Sequence, residues 1–74
     1  MAWLRVALTA DEQAIVKAAR YVHPDPLVQR RLRCVWLLHC GAAREAAAKH
    51  LDVSLATVNR DVALFKTGGL AALR

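Results

Sequence analysis

Four polar side chains fall within seven residues of this chain: Ser54, Thr57, Asn59 and Arg60. Their chemistry suits a polyanion that carries readable edges. A carboxamide such as Asn59 pairs with the edge of an adenine, and a guanidinium such as Arg60 pairs with a guanine edge or a phosphate. Hydroxyls beside the free amides of a helix start, here Ser54 and Thr57, meet phosphate oxygens. Ala56 and Ala63 are small enough to let a backbone come close to such a surface. Arg44 upstream and Lys66 downstream add cations for phosphate. The candidate binding residues are therefore Arg44, Ser54, Ala56, Thr57, Asn59, Arg60, Ala63 and Lys66, and the partner they suit is double-stranded DNA.

Other chemistries find less support. Cys34, His39, Cys40 and His50 are possible zinc ligands by type, but they form no C-x-x-C or H-x-x-x-H pair, and a helix through Cys34 and Cys40 scatters them. The two cysteines are six positions apart in one expected helix, too far to bridge. They read as reduced thiols in a cytoplasmic, nucleoid-associated protein. The six acids fall on expected helix starts, caps and a turn, so no catalytic residue is assigned. No cofactor, metal or small-molecule ligand is expected.

Helices must position the binding set. Alanine accounts for 15 of the 74 residues, which favours helix. Thr9-Ala-Asp-Glu12 has the spacing of a capping box. It opens a helix that should reach about residue 22, with Ile15, Ala18, Ala19 and Val22 inward. His23-Pro24 interrupts it, and Asp25-Pro26 is a cap and first-turn pair for a second helix over 26–40. That helix should bury Leu27, Val28, Leu32, Val35 and Leu38, expose Gln29, Arg30, Arg33 and Leu37, and end at Gly41. A third helix covers 43–50. Leu51-Asp52-Val53 is a turn, and Ser54 caps a fourth helix that runs to about Lys66. Ahead of these, residues 2–8 alternate like a short extended arm, with Leu4, Val6 and Leu8 on one side.

The last two helices fit a helix-turn-helix. With Arg44 taken as the first position, the fifth is Ala48, small where the two helices cross. The ninth is Asp52, where a left-handed backbone is needed; aspartate tolerates this better than most residues do. Leu51, Val53 and Val58 supply the apolar plug. On the fourth helix Leu55, Val58, Val62 and Phe65 share the inward face, which leaves Ala56, Asn59, Arg60 and Ala63 outward, on the side that enters a major groove. Asp61 lies beside the inward stripe, where it can pair with Arg44 or Lys49 or accept from a cytosine amine.

Bulk properties agree with this reading. One domain is expected at this length: an arm over 1–8, an all-α four-helix bundle over 9–67 with its helix-turn-helix at about 43–66, and a tail or linker over 68–74. The net charge of +5 is spread over both halves and suits nucleic acid. No stretch approaches the roughly 20 apolar residues of a membrane span, so no membrane partner is expected.

Four segments together resemble a known family. RVALTADEQAIVKAAR, the arginine-rich QRRLRCVWLLHCG, the helix-turn-helix and FKTGGLAAL are similar to the N-terminal DNA-binding region of bacterial insertion-sequence transposases of the mariner-like superfamily. The resemblance covers nearly the whole chain. It implies a homeodomain-like bundle that recognises the terminal inverted repeats of a mobile element. Two residues depart from the pattern: Asp52 stands where the family tends to have glycine, and Asp61 where tryptophan is common. Such transposases continue into a second DNA-binding module and a catalytic domain with three acidic metal ligands. The expectation here is a non-enzymatic domain, either part of a transposase or derived from one. Two alternatives stay open: a free-standing dimeric regulator, and a helical protein-interaction module. Trp3, Trp36, Leu37 and Leu64 have no evident place in the core and could form a homodimer face.

Overall fold

Local hydrogen bonds set the helix starts. In the computed structural model, which describes residues 6–73, the Glu12 N–H donates to the Thr9 hydroxyl (3.2 Å) and the Thr9 N–H donates to Glu12 Oε1 (2.9 Å). This reciprocal box opens α1 (Ala10–Ala19). The Asp25 carboxylate accepts from the Leu27 N–H at 2.9 Å and opens α2 (Pro26–His39), with proline in its first turn. Gly41 follows with φ +101°, the left-handed stop its position predicts. α3 (Arg44–Leu51) and α4 (Leu55–Leu73) complete the bundle. The fold is all-α, with no strand among the described residues.

Two apolar clusters hold these elements together. The larger joins Val6 and Leu8 of the arm, Val16 of α1, Val28, Leu32 and Val35 of α2, and Val62, Leu70 and Leu73 of α4. Ala19, Trp36, Leu38, Leu64 and Phe65 pack against it. The smaller joins Cys34 of α2, Ala48 of α3 and Val58 of α4, flanked by Leu38, Leu51 and Val53. The arm is pinned as well as buried: the Leu8 N–H donates to His39 Nδ1 (3.1 Å), and Gln13 donates to the Leu8 carbonyl (3.1 Å). The alternation expected of the arm holds at Val6 and Leu8; Trp3 and Leu4 lie outside the described residues.

Four expectations need correction. α1 stops at Ala19 instead of residue 22, and Val16 is its buried residue, while Ile15, Ala18 and Val22 are exposed. Alanine dominates this helix and carries little apolar area, so the sequence barely distinguishes one face from the next. On α2, Leu27 is exposed, whereas Cys34 is fully buried. On α4, Leu55 is exposed at the first turn. Trp36 and Leu64, which had no assigned place, pack on the larger cluster.

Leu70 and Leu73, in the segment the sequence marks as a tail or linker, pack into the larger cluster. Gly69 adopts φ +66°, ψ −158° inside α4 and breaks its direction, a conformation close to forbidden for residues with a Cβ. At Gly68 an added Cβ would lie 2.7 Å from the Ala72 Cβ. The two glycines thus do different work: Gly69 turns the chain, and Gly68 leaves room for the turn that follows. The result brings Leu70 and Leu73 into the larger cluster, with Leu73 fully buried. Each leucine so buried contributes about 1.5–3 kcal/mol, a large share of the roughly 3–5 kcal/mol a domain of this size retains.

Candidate nucleic-acid interface

The turn between α3 and α4 has the geometry its sequence requires. Asp52 sits at φ +57°, ψ +47°, in the left-handed region, and is the only non-glycine residue with positive φ among those described. Its N–H and that of Val53 bond back to the Lys49 and Ala48 carbonyls, which ends α3. Ala48 is buried where α3 meets α4, and Val58 fills the space between them with no exposed surface. Aspartate in place of glycine therefore leaves the turn intact.

The outward face of α4 is open. Ala56, Asn59, Arg60 and Ala63 are all exposed, while Val58 and Val62 on the other side are buried. Ser54 caps the helix: its Oγ accepts from the Thr57 N–H (3.2 Å), and its hydroxyl lies 3.0 Å from that of Thr57. The two hydroxyls expected near phosphate stand together at the helix start. Arg44 comes from the first turn of α3 and donates from Nη1 to Asn59 Oδ1 at 2.6 Å. The sequence offered it as a phosphate contact or as a partner for Asp61, and a residue fifteen positions away gives no local signal of this bond. Lys66 is exposed near the other end of the same helix. Seven of the eight candidate residues thus sit on α4 or its cap, and Arg44 joins them from α3.

Asp61 is the clearest departure from the sequence reading. It is 1% exposed and pairs with neither Arg44 nor Lys49. Arg30 Nη2 of α2 lies 3.3 Å from both carboxylate oxygens, and Arg31 Nε approaches to 3.8 Å. Arg30 therefore faces α4, not solvent. Burial pushes the Asp61 carboxyl above the usual carboxylate range, and the guanidinium groups of Arg30 and Arg31 offset this only in part. A signal was present: Asp61 lies three residues after Val58 and one before Val62, on the inward stripe, opposite the basic run of α2.

The thiols and histidines do not assemble. Burial, with the Asp61 charge nearby, pushes the Cys34 thiol up to about 12, so it stays protonated and packs as a small hydrophobe. Cys40 is exposed, and His39 Nδ1 is engaged by the arm. Among the described residues no group of three His, Cys, Asp or Glu side chains is placed to hold a metal ion. No helix among them is long and apolar enough to cross a membrane.

A short helix crossing a second at a small residue, a left-handed turn, and a following helix with one face buried and the other bare define the helix-turn-helix class of DNA-binding domains. The family model for the homeodomain-like domain matches residues 25–74, and the chain belongs to that family. The match begins at Asp25, the cap of α2, and takes in α2, α3 and α4. α1 and the arm lie ahead of it and complete its larger cluster. Searches of curated proteins and of solved structures gave no match.

Proposed function

We propose that this chain binds double-stranded DNA by seating α4 in the major groove, with Ala56, Asn59, Arg60 and Ala63 toward the bases and Arg44, Ser54, Thr57 and Lys66 toward the phosphates. The observation that carries the reading is the division of α4: Val58 and Val62 are buried in the bundle, while the other side exposes two alanines, a carboxamide and a guanidinium. The net charge of +5 supports it. The resemblance of the sequence to mariner-like insertion-sequence transposases supports a narrower role, recognition of the terminal inverted repeats of a mobile element, as part of a transposase or derived from one.

A second reading, a free-standing dimeric regulator, draws on exposed Ile15, Tyr21, Val22 and Leu27 around the end of α1 and the start of α2. One experiment separates the two. Selection on random duplexes at two salt concentrations, with mass measurement of the complex, should give one contiguous site and a one-to-one complex for a transposase module. A palindromic site bound by two chains identifies the regulator. No enrichment of any duplex sequence overturns both.

A further inference from the structure

We infer that Arg44 sets which base Asn59 reads, by holding the Asn59 carboxamide in one orientation; the inference rests on the DNA-binding reading above. A guanidinium carries donors only, so the Asn59 atom facing Arg44 Nη1 at 2.6 Å must be the oxygen. The bond is charge-assisted. With Oδ1 held by α3, the NH2 group of Asn59 leads away from the guanidinium, and Asn59 meets a partner chiefly as a donor.

That changes the expected readout. An unrestrained asparagine presents oxygen and NH2 side by side and pairs with adenine, which offers one donor and one acceptor in the major groove. An asparagine whose oxygen is held favours an edge made of acceptors. Guanine, with N7 and O6, is the base whose edge has two acceptors and no donor. Cytosine offers its N4 donor and is disfavoured. Arg44 is thus a positioning residue for specificity, apart from any charge it contributes toward phosphate, and the two effects are separable. Neutralising a phosphate contact weakens binding to all sequences alike and changes the salt slope, whereas re-aiming Asn59 changes preference at one base position.

The test compares selections on random duplexes for the unaltered 74-residue chain, Arg44→Met, Asn59→Ala and the double variant, with thermal unfolding to confirm that each is folded. The position that loses its preference in Asn59→Ala is the one Asn59 reads. The inference predicts guanine there for the unaltered chain and a switch toward adenine, by roughly tenfold in relative affinity, in Arg44→Met. It also predicts no further change at that position when Arg44→Met is added to Asn59→Ala. A preference in Arg44→Met identical to that of the unaltered chain, with only the salt slope reduced, overturns the inference and leaves DNA binding standing. Absence of duplex binding by the unaltered chain overturns both.

Discussion

Arg60 and Asp61 are adjacent in the chain, and α4 turns them about 100° apart, one exposed and the other buried. Arg60 is exposed on the face that carries Ala56, Asn59 and Ala63. Asp61 is buried against Arg30 and Arg31 on the face that carries Val58 and Val62. Both faces contain charge, and the difference lies in whether that charge is already satisfied within the fold. On the inner face, arginines of α2 are committed to the bundle. On the outer face Asn59 and Arg60 are exposed. Charge that holds a fold together and charge that contacts a partner are thus separated by one residue of sequence and about a quarter of a helical turn.

The comparison can be broken most severely at Val58. Val58→Asp places a carboxylate without a partner in the smaller cluster and should unfold a domain of this marginal size. Circular dichroism should show loss of helix, and a folded variant would mean the faces are assigned the wrong way round. Next come the two ends of the buried ion pair, which should differ. Arg30→Ala leaves the buried carboxylate only the more distant Arg31 and should cost about 3 kcal/mol by denaturant unfolding. Asp61→Ala leaves arginines whose side chains are 27% and 24% exposed and can turn to water. It should cost about 1 kcal/mol. Equal costs would contradict the asymmetry of burial.

On the outer face, Arg60→Ala should leave the unfolding transition where it is and weaken binding to the preferred duplex by about 1–3 kcal/mol, with relaxed choice at one base pair. A uniform loss across sequences would make Arg60 a phosphate contact. The smallest effect is in pH. The folded Asp61 carboxyl lies above its unfolded value, so its contribution is complete below the ordinary carboxylate range and is lost as pH rises through the raised value. The stability of the unaltered chain relative to Asp61→Asn should therefore grow on acidification through that window, by at most about 1.4 kcal/mol per pH unit. The opposite slope would mean that the arginines outweigh burial.

Much of the architecture was legible because local chemistry determines it. The Thr9–Glu12 box, the Asp25-Pro26 start and the left-handed Asp52 all act over a few residues, and each occurs where the sequence places it. Two features were only partly legible, for a different reason. The position of Asp61 depends on arginines thirty and more residues earlier, and a carboxylate on an inward stripe conflicts with every local rule until its partners are known. The C-terminal residues read as a tail because Gly68 and Gly69 stop helices in isolation, yet Leu70 and Leu73 offset the break by burial. The outward face of α4 was read correctly from periodicity alone, because Val58 and Val62 fix its opposite.

Titration of the isotopically labelled chain with its selected duplex, followed through backbone amide resonances, tests the central claim most directly. The amides of Ala56, Asn59, Arg60 and Ala63 should move together with that of Arg44, while those of Tyr21 and Val22 stay in place. Saturable binding that moves the α1 end and leaves α4 undisturbed would contradict the account.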